Sequence, residues 1–416
     1  MFPAKTPTES SGFHALLKNR RFLMLWSGQI FSQVGDKVFF TFLVAILETY
    51  HSPIFQNSMY SILMLAFTLP AIFFGSAAGI FVDRFSKKQI LVVSNITRAL
   101  LILAIPLLPK EFLILLVITF IISTITQFFA PAEQVAIPLL VLPQNLMTAN
   151  ALFTTTMMGA LIVGFAIGEP LLSLSRDWGG KYGQEILVAS LYFLASAVIQ
   201  WIPFKENPIS LEEIAVHPWH DLKEGLHYLW KNRLVQNAMI QLMTLFGVLA
   251  ALTVIAIPMA VDIGLKRTQF GFLLAAAGIG MVAGAGVLGH WGDRFHHKPL
   301  PLLGFLSMAF VLAVFTFTQE LWLSLGLSML LGVGAALIGV PMQTLIQQQT
   351  PEKMRGKVFG FQNNAVNIAV SAPLAITSLL KDQFGLRAVL LCISLLVCGV
   401  GVWAWRNTRS VLQDVL

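Results

Sequence analysis

Long runs of apolar residues broken by short polar segments set the rhythm of this chain. SILMLAFTLPAIFFGSAAGIFV (61–82), FLILLVITFIISTITQFF (112–129) and AVLLCISLLVCGVGVWAW (388–405) each meet or approach the roughly 20 residues that a helix needs to cross a bilayer. Twelve such spans are predicted, near 21–48, 57–81, 89–108, 112–131, 150–173, 185–204, 235–260, 269–291, 299–317, 321–342, 357–380 and 387–405. The first follows basic residues, lacks a small-residue cleavage site and is read as a retained helix, not a signal peptide.

Composition points the same way. Only 11% of the residues are charged against 56% hydrophobic, too few to cover a water-facing surface, where about 25% is usual. The distribution of Lys and Arg sets an orientation. With the amino terminus inside, 18 of the 27 fall in inner segments and 7 in outer ones, while Lys37 and Arg98 lie within spans. That bias predicts both termini in the cytoplasm, and the inner (plasma) membrane of a prokaryote is the expected location. It also gives the net charge of +7 a membrane cause, so no nucleic-acid partner is expected. Cys392 and Cys398 lie six residues apart on one helix, about 120° and 9 Å from each other, and cannot pair.

The charged island GIFVDRFSKK (79–88) recurs as GHWGDRFHHK (289–298), 210 residues later. Each copy ends a span with small residues four apart: Gly75, Gly79 and Asp83, then Ala285, Gly289 and Asp293. Small residues on one helix face let a neighbouring helix come close. PQNLMTANALF (143–153) aligns with PEKMRGKVFGF (351–361), and Pro131 with Pro341. A six-span unit used twice is how many transporters are built. The predicted units are 1–204, a polar linker with an amphipathic helix at 205–234, and 235–416.

The residues that carry these repeats identify a resemblance to the major facilitator superfamily over essentially the whole length. Its signature is Gly, three residues, Asp-Arg, two residues, then basic residues. Gly79, Asp83, Arg84, Lys87 and Lys88 match it, and Gly289, Asp293, Arg294 and Lys298 match it again. Ser86 stands where the family usually has Gly. FFAPAEQVAIPLLVLPQNLMTANALF (128–153), SQVGDKVFF in span 1 and RGKVFGF entering span 11 resemble the branch of macrolide-efflux proteins and the enterobactin exporter; the lysophospholipid transporter shares some of these elements. The resemblance implies an all-α membrane protein of two pseudo-symmetric six-helix halves that alternate access around a central site. It further implies that Asp83 approaches the start of span 11 when the cytoplasmic side closes. Gly79, Asp83, Arg84, Lys87, Lys88, Gly289, Asp293, Arg294 and Arg355 are therefore the candidate gate.

Polar side chains within spans are costly and usually face a cavity. Gln29, Gln33 and Asp36 share one face of span 1, and a carboxylate on such a stripe can exchange protons with a lumen. Lys37 is a possible partner for it. Arg98, with Asn95 three residues before it, could contact an anionic substrate, pair with Glu133 or Asp36, or reach the inner interface. Glu133 and Gln134 either join the inner gate or are solvated. In span 5, GFAIGEPLLS (164–173) is a degenerate form of the antiporter motif, with Glu169 intruding before Pro170.

HPWHDLKEGLHYLW (217–230) holds His217, His220 and His227, but Leu222, Leu226, Leu229 and Trp230 mark it as an amphipathic helix on the inner membrane surface. His296 and His297 help set the charge of the second island. No cofactor or metal motif is present, and without an ATP site uphill transport needs an ion gradient, H+ being the expected ion. The expected function is a monomeric secondary transporter, not an enzyme, exporting an amphipathic small molecule such as a drug, macrolide or siderophore. Movement of lysophospholipid is the alternative, and a membrane enzyme or sensor is disfavoured.

Overall fold

A computed structural model describes residues 13–47, 49–50, 59–204, 218–265, 270–291 and 299–413. All regular structure among them is helical, as it must be where a segment crosses hydrocarbon and each backbone polar group needs an internal partner. Six long helices form the first half: α2 (Arg20–Leu47), α3 (Met59–Arg84), α4 (Lys87–Ala104), α5 (Phe112–Leu140), α6 (Leu146–Gly179) and α7 (Gly183–Gln200). Their counterparts are α9 (Arg233–Asp262), α10 (Gly271–Trp291), α11 (Leu300–Phe315), α12 (Leu321–Gln349), α13 (Arg355–Phe384) and α14 (Leu386–Gln413). Two surface helices, α1 (Phe13–Lys18) and α8 (Pro218–Lys231), precede α2 and α9.

All twelve predicted spans are thus helices. Nine helical segments among the described residues are long and apolar enough to cross a membrane by length and composition alone, and α11 is a shorter apolar helix. Helix α13 dilutes its apolar surface with Gln362, Asn363, Asn364 and Asn367, which form hydrogen bonds within the protein.

Several helices outrun their predictions. Span 4 is predicted to end at 131 and span 10 at 342, but α5 runs to Leu140 with Pro131 and Pro138 inside it and α12 runs to Gln349 with Pro341 inside it. Neighbouring helices bury these stretches, and within a bundle a proline's lost hydrogen bond is tolerated. Helix α14 likewise continues past residue 405 through Arg406 and Arg409.

Local chemistry sets the corners. Ser86 caps α4, its Oγ accepting from Gln89 N at 3.3 Å. On the face away from the charged islands, Gly385 adopts φ 81° between α13 and α14, a left-handed conformation that glycine enters without penalty.

Among the described residues, the buried apolar side chains fall into two clusters. One large buried cluster mixes residues of both halves, joining Leu16, Val82, Phe129 and Leu146 to Leu288, Ile346 and Phe359. A separate cluster, with Phe39, Phe42, Ile105, Phe112 and Leu115, belongs to the first half alone and lies toward the opposite face. The side carrying residues 84–87, 141–145 and 350–354 is called the basic face below.

Candidate functional site

Two arrangements stand out: a buried charge network in the first half and a set of contacts that close the basic face. The network begins with α4, where Ser94, Asn95 and Arg98 share a face, and α2, where Ser32 and Asp36 are four residues apart and so adjacent. Arg98 is fully buried, at 0% exposure, and its Nη1 donates to Asp36 Oδ1 at 2.9 Å. Its Nη2 donates to Asn95 Oδ1 at 2.7 Å and to Ser32 Oγ at 3.3 Å, and its Nε donates to Ser94 O at 3.4 Å.

Aromatic rings complete the seat. The guanidinium carbon lies 4.6 Å from the ring centroids of both Phe129 and Tyr192, a favourable place for a desolvated cation. Tyr192 also donates its hydroxyl to Asp36 Oδ1 at 2.7 Å. Gly35 makes room for it, since a Cβ there would come within 3.3 Å of the Tyr192 ring.

Arg98 therefore takes Asp36 as partner, out of the alternatives its position left open, and Asp36 takes Arg98 instead of the adjacent Lys37. The Asp36 side chain keeps 22% exposure, so the pair is sealed on the arginine side and open on the aspartate side. Gln29 is buried with its Oε1 unpartnered among the described residues, while Gln33 is half-buried. Glu133 is not solvated. It lies inside α5 at 5% exposure, feels the charges of both Asp36 and Arg98, and has an Oε1 without a described partner. Ser32, Phe129, Tyr192 and Glu133 thus complete a site of which the sequence pattern marked Asp36, Asn95 and Arg98; lone polar groups in the apolar runs of spans 1 and 6 were the available signal for Ser32 and Tyr192.

At the basic face, α3 crosses α13. Asp83 accepts from Gly356 N at 2.5 Å and from Lys357 N at 2.8 Å. These are first-turn amides of α13, which have no partner within their own helix and carry its positive dipole end. The crossing is tight because Gly79 lies on Gly356 and Gly360, where a Cβ would come within 2.7 Å of Gly360 Cα. Lys87 reaches back to Asp83 O at 3.3 Å, and Arg84 and Lys88 are half-buried beside it. Arg355 turns away, donating from Nε to Thr350 O at 3.3 Å, because the helix amides already occupy the carboxylate.

The pseudo-symmetric crossing joins α6 to α10. Thr148 Oγ1 donates to Gly289 O at 2.8 Å, and Asn150 Nδ2 donates to Gln347 Oε1 at 2.6 Å and to Thr344 Oγ1 at 3.0 Å. Asp293, Arg294, His217, His296, His297 and Lys298 lie outside the described residues, as do the side chains of Glu169 and His220. Neutral amides fill the space between the crossings. Gln343 Nε2 donates to Gln134 Oε1 at 2.8 Å, Asn363 Nδ2 to Gln127 Oε1 at 2.8 Å, and Asn364 Nδ2 to Ser76 Oγ at 2.9 Å. These bonds between the halves lie in the basic-face portions of their helices. Together they describe a bundle shut on that side.

The model of a family described as Major Facilitator Superfamily matches residues 25–258 and 238–413. The protein BacE of Bacillus subtilis (strain 168) is 25% identical over 404 residues, covering 96% of each chain. The enterobactin exporter EntS of Escherichia coli O1:K1 / APEC is 26% identical over 322 residues, 75% of each chain. Among solved structures, the E. coli fucose:proton symporter FucP superposes with a TM-score of 0.71 at 15% identity, covering 93% of this chain and 98% of that one.

Proposed function

This chain belongs to the major facilitator superfamily of transporters, and on that premise we propose that it is a proton-coupled exporter of a small amphipathic molecule, working by alternating access with its basic face in the cytoplasm. The observation that carries the reading is the Asp36–Arg98 pair, with the arginine fully buried and the aspartate partly open. An intramembrane ion pair of this kind is costly and marks a functional pathway. A proton arriving on Asp36 cancels the charge that holds Arg98, and Glu133 is the second carboxyl within reach of that cation's field. The pair is then a switch with two settings, and the halves supply two conformations for it to bias.

Export as the direction is supported by the similarity to EntS, an enterobactin exporter, while the Lys and Arg bias supports an orientation with the basic face inside. The substrate side draws on neutral groups. Asn363, Asn367 and Ser371 line up on one face of α13, where Asn367 Nδ2 donates to Asn363 O at 2.7 Å and Ser371 Oγ to Asn367 O at 2.8 Å. Such amides and hydroxyls suit a polar, polyfunctional ligand more than a simple ion.

The test is transport in proteoliposomes under an imposed pH gradient, with a macrolide, a siderophore and a lysophospholipid as probes. The wild type is expected to accumulate one of the first two against its gradient. Asp36→Asn should keep downhill exchange and lose accumulation. A variant still driven fully by the gradient removes Asp36 from coupling, and a wild type indifferent to the gradient that moves the lysophospholipid overturns the exporter reading.

A further inference from the structure

The two surface helices are copies of one another. GFHALLKNR (12–20) and GLHYLWKNR (225–233) share six of nine residues at an offset of 213. The structure repeats with the sequence. Leu16 and Leu229 are both buried, while Leu17 and Trp230, the next residue in each copy, are 55% and 79% exposed. After each shared Lys comes an Asn that caps the following span: Asn19 Oδ1 accepts from Phe22 N at 3.2 Å, and Asn232 Oδ1 from Val235 N at 3.1 Å. Phe22 and Val235 are each fully buried.

Their placement is also repeated. Helix α1 packs on α2 and α6, and its Phe13 reaches across to α10 of the other half. The Phe13 ring stacks on His290 with centroids 6.4 Å apart, and it lies so close over Gly289 that a Cβ there would fall 2.5 Å from Phe13 Cζ. Helix α8 packs on α9 and α13, and it also touches α3 of the first half. Glu224 pairs with Lys357 at 2.6 Å, Tyr228 Oη donates to Gln349 O at 2.9 Å, and Gly225 leaves space for the Phe361 ring. Under the repeat, α6 corresponds to α13 and α10 to α3. Helix α1 over the α6–α10 crossing is therefore the counterpart of α8 over the α13–α3 crossing.

We infer that the duplicated unit of this chain is seven helices, and that its surface helix is a clasp. Each clasp belongs in sequence to one half and grips, at the basic face, a crossing with the other. Lys357 shows the logic. Its main-chain N–H is held by Asp83 of α3 and its side chain by Glu224 of α8. Parting α3 from α13 breaks the first bond and pulls α8 from one of the two helices it spans. On the other side, Phe13 must leave Gly289 and His290 before α10 can move from α6. The exposed Leu17, Leu226 and Trp230 give both clasps an apolar edge at the lipid boundary, where such residues anchor.

This inference rests on the alternating-access reading, and its test needs no substrate. The full chain, with Cys392→Ser and Cys398→Ser, carries spin labels at Gln89→Cys and Lys353→Cys, both exposed on the basic face. Pulsed electron spin resonance in nanodiscs then measures how far apart the halves sit there. Glu224→Gln and Phe13→Ala should each raise the ratio of long to short distances by roughly two- to five-fold, the range of a partly exposed contact, and more when combined. Glu224→Lys with Lys357→Glu should restore the parent distribution. A double variant Phe13→Ala, Glu224→Gln that elutes as a folded monodisperse protein with the parent distribution overturns the clasp. A shift seen in a protein that transports no probe still supports it, which separates this inference from the function proposed above.

Discussion

Asp83 in the first half caps the helix that Gly356 and Lys357 begin in the second, accepting from both amides at 2.5 and 2.8 Å. A carboxylate from one half thus supplies what the helix of the other half lacks. The bond is available only while α3 and α13 cross at Gly79, so it reports the closed state directly.

Asp83→Asn keeps the shape and removes the charge. Loss of a charged partner at a helix amino terminus is worth about 1–2 kcal/mol, or a rise of roughly ten-fold in the open fraction. Labelling of Ser371→Cys by a membrane-impermeant maleimide applied at the basic face should accelerate accordingly. An unchanged rate removes the latch role from Asp83.

Glycine substitutions separate contact from composition. Gly79→Ala puts a methyl against the Gly360 backbone, which cannot yield, whereas Gly75→Ala meets Asn364 at 3.1 Å and Gly159→Ala meets nothing within 4 Å. The same labelling assay should show the closed state lost in the first, weakened in the second and intact in the third. Equal behaviour of the three would mean that α3 and α13 do not need to touch.

The charge network should behave as a unit. Arg98→Ala leaves Asp36 without its cation and a large void between Phe129 and Tyr192, and breaking a buried pair costs about 3–5 kcal/mol. The melting temperature in detergent should fall sharply. Asp36→Asn with Arg98→Gln, which removes both charges, should recover part of the loss; a double variant less stable than Arg98→Ala alone would count against pairing as the main contribution.

Asn150 is the corresponding anchor on the α6 side. Asn150→Ala strands the amide oxygen of buried Gln347, while Thr344 keeps its bond to Val340 O, at a cost of about 1–3 kcal/mol. Because its partners lie in the other half, the variant should lower the melting temperature and also speed labelling at Ser371→Cys. A change in melting alone would assign Asn150 to stability without gating.

Most of the helical framework was legible because hydrocarbon demands long apolar runs, and the islands at 79–88 and 289–298 were legible because charge is rare here. Helix ends were less so. Spans 4 and 10 are predicted to end at 131 and 342, yet α5 and α12 run on to Leu140 and Gln349, where neighbours in the bundle bury much of the added turns. Arg98 shows a second limit. Its pattern admitted several partners, and only the packing of α2 and α4 on α7 chooses Asp36 and brings Tyr192 of α7 to the same oxygen. For Glu133 the sequence leaves a solvated position open because span 4 is predicted to end at 131; with α5 running to Leu140, that carboxyl lies about two turns inside. The repeat of the surface helices was present in the letters of 12–20 and 225–233 but hidden by its offset of 213 beside the 210 of the islands.

Because each half begins with its own surface helix, the polypeptide can be divided without dividing a unit. A break within 205–217 leaves α1, whose Phe13 reaches α10, on one fragment and α8, which packs on α3, on the other. Two separately translated fragments, 1–210 and 211–416, should therefore find each other in the membrane and co-purify through a tag on either one. A fragment lacking 218–231 would lose α8 and with it the contact on α3, and should assemble poorly. Covalent continuity would then serve delivery of the halves in equal number, while recognition between them is written at the start of each.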